Sequence, residues 1–244
     1  MPACQPPPCQ LQDTVSPDHP TGQTLAATPV LLLDVAERLF AQKGIDNVSI
    51  REIVRASGQS NLSAAHYHFG SREALIGAVI ERRIRVVNAL RHQQLDCLEA
   101  TGQDSSVDAI IMALVGVLGE AVKTMPWGPD YVHLVAQALF NSQLHIREMI
   151  DPQAMSSHPR FTEMLRRLLP DLPLGVFNDR LVVLDNESVY SVARWIQCNG
   201  PVGDGNSDSF GMMIRNTADF LAAGMAAPVS HVKTGNAIQQ GAVS

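Results

Sequence analysis

A run of small polar and aromatic side chains between residues 60 and 68 has the residue types and spacing for chemistry at a surface. Leu62, Ala65 and Phe69 recur at intervals of three and four residues, which is typical of the buried stripe of a short helix. The side chains off this stripe are Ser60, Asn61, Ser63, Tyr67 and His68. Such side chains reach base edges and phosphates when a helix enters the major groove of DNA. This segment is therefore a candidate nucleic-acid reader.

Catalysis and metal binding are the competing chemistries, and the sequence lacks the motifs for both. It contains no GxSxG nucleophile motif, no phosphate-binding glycine loop and no HExxH zinc motif. Cys198 has no nearby histidine that would raise its reactivity. His66 and His68 diverge on a helix, and no cysteine or carboxylate completes a metal site. We therefore expect no enzyme, no metal and no cofactor.

The formal net charge of −6 hides an uneven distribution of charge along the chain. Residues 28–95 contain nine Lys and Arg against six Asp and Glu, so this segment carries +3 and the rest of the chain −9. A local excess of cations attracts the DNA backbone. The basic residues of the segment are Arg38, Lys43, Arg51, Arg55, Arg72, Arg82, Arg83, Arg85 and Arg91.

Helices must position these side chains, because apolar residues recur with the helical period nearly throughout the folded body. No run shows the strict alternation of a strand. The fold class is therefore all-α. The first helix is predicted to begin with Thr28 as N-cap and Pro29 at its first position, and to end at Gly44.

Two short helices follow the first one. Ser49 and Glu52 have the spacing of a capping box, in which each side chain accepts from the other's backbone N–H. Ser57-Gly58 ends this second helix, and Gly70-Ser71 ends the third and caps a fourth. Two short helices joined by a tight glycine turn and packed on a longer one describe a helix-turn-helix.

The segment 49-SIREIVRASGQSNLSAAHYHFGSREAL-75 resembles the DNA-binding region of the TetR family of transcriptional regulators. The resemblance covers about residues 30–80, and HYHFGSREAL is its most specific part. It implies DNA contacts from Ser49, Ser60, Asn61 and Ser63, with Tyr67, the adjacent His68 and Arg72 at the phosphates. Gly58 and Gly70 are one residue further apart than is usual in the family, so the base-reading positions near residues 59–63 stay open.

Arg72 also supports a phosphate partner without the resemblance. A cation at a helix N-terminus is unfavourable, because the helix dipole prefers anions there. A phosphate outside the protein would compensate for this placement.

Composition divides the chain into a folded body and two terminal segments. Residues 1–27 hold seven prolines or glycines without an apolar period, so we expect a disordered arm, and residues 228–244 form a similar tail. Residues 28–80 are the predicted helix-turn-helix domain and residues 81–227 the effector-binding and dimerisation domain. The longer helical patterns beyond residue 100 span about 104–125, 129–150, 158–170, 174–199 and 207–226.

The resemblance implies an effector pocket in the C-terminal domain. Aromatic residues and methionines are frequent there and line adaptable apolar pockets, although they also line ordinary cores. Few charges fall within the stretches that contain them, which favours a small apolar or amphipathic effector. The candidate ligand-binding residues are Trp127, Tyr131, Phe140, Met164, Tyr190 and Trp195.

The last two helices are the predicted interface of a homodimer, which the resemblance also implies. Their apolar stripes are too broad for helices with water on one side, although central helices of a single core would have the same pattern. The interface residues on the first are Leu181, Val182, Leu184, Val189, Val192, Ala193, Trp195 and Ile196. Those on the second are Phe210, Met213, Ile214, Thr217, Phe220 and Leu221.

The sequence thus predicts a dimeric regulator that binds double-stranded operator DNA and is released by an effector. Repression is the mode that the resemblance implies, and a helical protein-interaction adaptor without DNA binding is the alternative. The longest apolar stretch, Ala109–Gly119, is far shorter than the ~20 residues that span a bilayer. No targeting signal opens the chain. We therefore expect a cytoplasmic protein with no membrane partner.

Overall fold

The computed structural model describes residues 29–59, 68–141 and 144–229. Within these ranges every regular element is a helix, which confirms the predicted all-α class. The predicted N-terminal arm, Thr28 as N-cap, most of the third helix and nearly all of the tail lie outside the described residues.

The first helix, α1, spans Pro29–Lys43, and a 3₁₀ turn follows at Ile45–Asn47. The short helix α2 spans Ile50–Ala56. Both begin and end within a residue of the predicted positions, because proline, serine and glycine act locally at helix ends.

A single helix of 30 residues, α3, spans Arg72–Thr101. It begins at Ser71, whose hydroxyl oxygen accepts from the Ala74 N–H at 3.0 Å, and ends at Gly102 in the left-handed conformation. The helix crosses the predicted domain boundary at residues 80 and 81 without a break. It therefore joins the N-terminal helices to the C-terminal ones as one continuous rod.

The C-terminal domain contains the remaining helices. They are α4 (Val107–Thr124), α5 (Gly128–Phe140), α6 (Ile146–Met149), α7 (Ser157–Leu168), α8 (Leu174–Asn199) and α9 (Ser207–Ala226). A 3₁₀ turn at Pro152–Met155 precedes α7.

The predicted helix 129–150 is wrong as a single element, because α5 ends at Phe140. Asn141 has an extended backbone, with φ −85° and ψ 107°. Its side-chain amide donates to Asp46 Oδ1 at 2.9 Å, in the turn between α1 and α2. No glycine or proline marks the end of α5. What accompanies this helix end is the tertiary contact to Asp46, not a local sequence signal.

The helix α4 lies at the centre of the C-terminal domain and packs against α3, α5, α7, α8 and α9. Half of its residues are buried, including Ile110, Ile111, Val115 and Leu118. Because α4 is enclosed by helices on several sides, it carries apolar side chains on more than one face.

Candidate functional site

A glycine turn closes α2, the first short helix of the predicted helix-turn-helix. Gly58 has φ 72°, in the left-handed region. Its N–H donates to Arg55 O at 3.1 Å, and the Gln59 N–H donates to Val54 O at 3.1 Å. These two bonds form the Schellman closure of a helix. The predicted reader segment therefore starts directly after α2.

Ser49 begins α2, and its exposed hydroxyl accepts a hydrogen bond from the Glu52 N–H at 3.2 Å. The predicted capping box places the Glu52 carboxylate at the Ser49 N–H, but the structure gives it Lys43 Nζ at 2.6 Å. This ion pair lowers the pKa of Glu52: the hydrogen bond to Lys43 is the largest cause, and the nearby charge of Arg55 is a smaller one. Glu52 thus ties α2 to α1.

Most predicted base contacts lie beyond the part of the chain that can be described. Ser60, Asn61, Ser63 and Tyr67 fall outside it, so their roles stay predictions. His68 is described and exposed, with its ring centroid 6.3 Å from that of Phe69.

Arg72 has partners within the protein that sequence reasoning did not foresee. Its Nε donates to Val48 O at 3.1 Å, and a terminal nitrogen donates to Ile45 O. Both carbonyls belong to the connection between α1 and α2. The cation at the start of α3 therefore already has electronegative partners, and the helix-dipole argument no longer requires a phosphate. A DNA contact by this half-buried side chain stays a prediction. The N–H groups of Arg72 that do not bind Val48 O or Ile45 O would make that contact.

Arg51 and Arg55 are the candidate phosphate contacts that sequence reasoning missed. Both are exposed and lie four residues apart on α2, hence on one face. Within the described residues neither forms an ion pair. In contrast, carboxylates neutralise four other cations of the basic segment, Lys43, Arg82, Arg83 and Arg85. The sequence signal for this pair is the spacing of Arg51 and Arg55, which lie four residues apart in a short helix that Ser49 caps.

The N-terminal helices are fixed to the C-terminal domain by a buried ion pair. Arg83 of α3 donates from Nε to Glu37 Oε1 at 2.9 Å and from a terminal nitrogen to Oε2 at 2.6 Å. The two side chains are only 12% and 5% exposed. The Arg83 Cζ also lies 4.8 Å from the centroid of the Trp127 ring. One guanidinium therefore connects α1, α3 and α5.

The predicted effector-binding residues lie at separate places in the C-terminal domain. Trp127 and Tyr131 are neighbours, with ring centroids 5.8 Å apart in an edge-to-face arrangement. Trp195 packs against Phe210 at 4.8 Å between centroids, and Met164 is buried on α7. These residues contribute to the core around several helices rather than to one pocket.

Phe140 and Tyr190 form an aromatic pair on the surface. Their ring centroids are 5.7 Å apart, and the residues are 68% and 43% exposed. An exposed pair of this kind does not enclose a ligand within one protomer.

An open groove of about 360 Å³ lies between α4 and α9, away from the six predicted effector residues. Three glycines and two cations contribute to it: Gly116, Gly119 and Lys123 from α4, and Gly211 and Arg215 from α9.

A half-buried arginine in the C-terminal domain is the second feature that sequence reasoning missed. The side chain of Arg91 is partly exposed, but its Nε is buried and has no hydrogen-bond partner among the described residues. Burial lowers the pKa of Arg91, while the charges of Tyr131 and Asp185 act in the opposite direction. Burial also raises the pKa of Tyr131 to about 12. Arg91 was counted with the basic N-terminal segment, which concealed its place on the C-terminal half of α3.

The last two helices divide their apolar residues between the core and the surface. On α8, most of the predicted interface residues are buried within the chain: Leu181, Leu184, Val189, Val192, Ala193 and Ile196. The large apolar residues of α8 that remain exposed are Leu174, Val182, Val183 and Tyr190. On α9, Phe210, Ile214, Thr217 and Leu221 are buried, whereas Met212 and Phe220 are exposed.

Membrane insertion and metal binding would each need a recognisable feature among the described residues. In the ranges 29–59, 68–141 and 144–229, no helix has the length and apolar character needed to cross a membrane. Across those same ranges, no group of three or more His, Cys, Asp and Glu side chains is placed to hold a metal ion.

Two models of one protein family match the chain. The model described as bacterial regulatory proteins, tetR family, matches residues 32–79, and the tetracyclin repressor-like C-terminal domain matches residues 104–224. Together they cover well over half of the chain and confirm the resemblance found in the sequence. No curated protein matches the chain.

Solved structures of regulators share the fold. The transcriptional regulator FadR from Bacillus subtilis, in complex with stearoyl-CoA, is 10% identical and matches 81% of this chain and 99% of its own, with a TM-score of 0.55. The fatty acid degradation regulator FadR from Bacillus halodurans is 13% identical over 81% and 99%, with a TM-score of 0.56. The ketosteroid transcriptional regulator KstR2 of Mycobacterium tuberculosis is 15% identical over 80% and 95%, with a TM-score of 0.53.

Proposed function

The chain belongs to the tetR family of bacterial regulatory proteins, and from this premise we propose that it represses transcription by binding operator DNA as a dimer until an effector releases it. The reader is the glycine turn after α2 and the segment that follows it. The effector binds in the C-terminal domain.

The DNA-facing side is supported by the charges that remain unpaired near the turn. Arg51 and Arg55 are exposed on α2, and Ser49 caps the same helix. Arginines in this position bind phosphates and fix the register of a reader helix without reading sequence. Sequence reading falls to Ser60, Asn61 and Ser63, with Tyr67, His68 and Arg72 at the backbone.

The continuous helix α3 is the observation that carries the regulatory part of the proposal. Its 30 residues correspond to about 45 Å at the rise of an α-helix. Arg72 at one end binds the connection before α2, and Leu95 and Leu98 near the other end are buried. A ligand that favours one position of α3 therefore shifts the reader, provided that it binds one arrangement better than the other.

A dimer is supported by the apolar residues that α8 and α9 leave exposed. Val183 and Tyr190 lie seven residues apart on one face of α8, and Met212 and Phe220 are exposed on α9. Two copies related by a two-fold axis would cover these side chains with each other. The operator is then an inverted repeat with half-sites about 10 base pairs, or a multiple, apart.

A gel-shift titration against the DNA upstream of the protein's own gene tests the proposal. The wild-type chain should bind this DNA more tightly than a shuffled duplex of equal length. The double variant Arg51→Ala, Arg55→Ala should weaken binding to both and reduce the slope of log affinity against log salt by roughly two, at ~0.9 per lost phosphate contact.

The matched control is Arg167→Ala, which removes an exposed arginine from α7 in the C-terminal domain. It should leave both the affinity and the salt slope unchanged. Equal affinity of the wild-type chain for the upstream and the shuffled DNA would contradict operator recognition there.

A further inference from the structure

The backbone of Ile45 lies between α3 and α5 and bonds to both helices. Ile45 is buried and follows Gly44, where the chain leaves α1. Its N–H donates to the side-chain amide oxygen of Gln137, on α5, at 2.8 Å. Its carbonyl accepts from a terminal nitrogen of Arg72, the first residue of α3. Both polar backbone groups of one buried residue are therefore satisfied by side chains from two different helices.

The chemistry of the backbone fixes the orientation of the Gln137 amide. A backbone N–H requires an acceptor, so the amide oxygen of Gln137 must face Ile45. The amide nitrogen then lies 3.5 Å from Phe40 O, in the last turn of α1. Gln137 thus bridges the end of α1 and the start of the connection to α2. A methionine at this position would offer neither the donor nor a comparable acceptor.

Two further contacts hold the rest of the connection between α1 and α2 to the same pair of helices. The Arg72 Nε donates to Val48 O at 3.1 Å, and the side-chain amide of Asn141 donates to Asp46 Oδ1 at 2.9 Å. Asn141 directly follows α5, and Val48 lies two residues before Ile50, where α2 begins. The start of α2 is therefore placed by side chains of α3 and of the end of α5.

The helix α5 is in turn attached to other helices of the C-terminal domain. The His133 Nε2 donates to Ala193 O of α8 at 3.2 Å, and α5 also packs against α4. The helix α8 carries exposed apolar residues of the proposed dimer surface, such as Tyr190. A displacement of α4 or α8 therefore has a direct route to Gln137.

We propose that Arg72 and Gln137 clamp Ile45 between α3 and α5, and that the C-terminal domain positions the reader by setting the separation of these two helices at Ile45. If the separation changes, Ile45 follows one helix and loses its partner on the other. Helix shifts in protein switches are about 1–2 Å, which is enough to break a hydrogen bond of 2.8 Å. Gln137 is a positioning residue, because it acts through the connection to α2.

This inference rests on the proposed function in one respect, that α2 and the segment after it form the reader. It adds α5 to the route through α3, since the connection responds to the position of one helix relative to the other. An effector needs only to bind one separation of α3 and α5 better than another in order to move the reader.

Double electron–electron resonance on the full chain without DNA tests the clamp. One spin label is placed at Ala56→Cys, the exposed end of α2, and the other at Glu163→Cys, exposed on α7. The four native cysteines are replaced by serine, and labelled chains are diluted with unlabelled ones so that only distances within one chain are measured. Gln137→Met should broaden the distance distribution or shift its maximum, because the connection loses its anchor on α5.

The matched control is Gln197→Met, which removes an exposed glutamine from α8 and should leave the distance distribution unchanged. Circular dichroism establishes the temperature range in which all variants are folded. A distribution for folded Gln137→Met that equals that of the wild type would overturn the proposal. An equal broadening in Gln197→Met would overturn it too, because the effect would then not depend on the clamp.

Amide hydrogen exchange of the wild-type chain gives a second readout that needs no variant. The acceptor of the Ile45 N–H is the Gln137 side chain, so its protection reports whether the clamp is closed. We expect this N–H to exchange as slowly as the amides in the middle of α1. Exchange at the rate of an unprotected amide would overturn the proposal.

A gel shift separates failure of this inference from failure of the proposed function. Gln137→Met keeps Arg51 and Arg55, so it should weaken binding to the upstream DNA and leave the salt slope unchanged, since it alters position and not charge. Wild-type affinity in a variant whose distance distribution is broadened would overturn the control of the reader by the clamp. A wild-type chain that does not bind this DNA would concern only the proposed function, because distances and exchange rates are measured without DNA.

Discussion

Arginine placement decides much of the chemistry at the residue scale. Arg83 and Arg91 lie on one helix, yet only Arg83 has a carboxylate partner, Glu37. Removing one partner of a buried ion pair leaves an uncompensated charge, which costs more than the loss of an exposed pair. The connection between the N-terminal helices and the C-terminal domain therefore depends on Glu37.

Glu37→Ala should lower the free energy of unfolding by about 3 kcal/mol, because it removes both carboxylate oxygens that Arg83 donates to and leaves only Asp34, 3.6 Å away, near the buried charge. Urea denaturation followed by circular dichroism measures this change. The matched control is Glu163→Ala, which breaks an exposed pair with Arg167 and should cost less than about 1 kcal/mol. Similar losses in the two variants would show that the Arg83–Glu37 pair adds little beyond a surface pair.

Arg72→Ala should weaken DNA binding by two separable routes. It removes the bonds to Val48 O and Ile45 O, which hold the connection before α2, and it removes a candidate phosphate contact. We expect a lower thermal midpoint together with weaker binding to all DNA sequences. Arg72→Lys, which keeps the charge but cannot reproduce the two-carbonyl contact, distinguishes the routes.

Salt-dependent binding of Arg72→Lys is the deciding measurement. A salt slope equal to that of the wild type, with a lower thermal midpoint, would identify Arg72 as a positioning residue that also presents charge to DNA. If Arg72→Ala keeps the wild-type salt slope, Arg72 makes no phosphate contact.

At the scale of elements, α4 and α5 approach each other at a glycine. A Cβ at Gly128 would lie 2.2 Å from Ala121 O, which is backbone and cannot move aside. This contact sets the entry of α5, which carries Trp127 just before it and Tyr131 in its first turn. The geometry around Arg83, whose guanidinium lies over the Trp127 ring, therefore depends on the absence of a side chain at Gly128.

Gly128→Ala should destabilise the protein by about 2–3 kcal/mol, as overpacking of a core does. The control is Gly175→Ala in the first turn of α8, where a Cβ would meet nothing within 4 Å. This second substitution should be neutral or stabilise by up to about 1 kcal/mol. Equal effects of the two substitutions on urea midpoints would contradict the close approach.

At the scale of the whole molecule, exposed apolar side chains mark the surface that a partner copy would cover. Phe220 is 71% exposed on α9. Val183 and Tyr190 are exposed on α8, where their neighbours Leu184 and Val189 are buried. The core therefore uses one face of each helix, and the outer face carries large apolar side chains among exposed polar ones such as Arg194 and Asp219. Large apolar side chains exposed on neighbouring helices are a candidate surface for a partner copy.

Phe220→Glu should convert the dimer into monomers that keep their helical content and lose most operator affinity, since one half-site offers half the contacts. Sedimentation velocity at micromolar concentration and gel shifts measure the two effects. The control is Leu174→Glu. This exposed leucine lies nine residues, or about two and a half turns, before Val183 and hence on the opposite side of α8, so the substitution should leave the dimer intact. A wild-type monomer with full affinity for a single half-site would contradict the dimer.

The sequence by itself determined the helical class, the ends of most helices and the family. Ser49, Gly58 and Ser71 mark helix ends through bonds to their own neighbours, so these ends are readable without tertiary contacts. The bounds of α8 and α9, Leu174–Asn199 and Ser207–Ala226, also agree with the prediction. Proline and glycine mark the two ends of α8, at Pro173 and Gly200. The HYHFGSREAL run was enough to identify the DNA-binding region, because its residues act together over a short segment.

Only the tertiary structure decided the features that depend on residues distant in the chain. The end of α5 at Phe140 accompanies an Asn141 contact to Asp46, 95 residues earlier. The carbonyl partners of Arg72 and the carboxylate partner of Arg83 come from α1 and the turns beside it. Arg91 looks in the sequence like any other member of a basic segment. Its apolar neighbours come from α4 and α7, and helical periodicity gives the face of each residue but not what packs against that face.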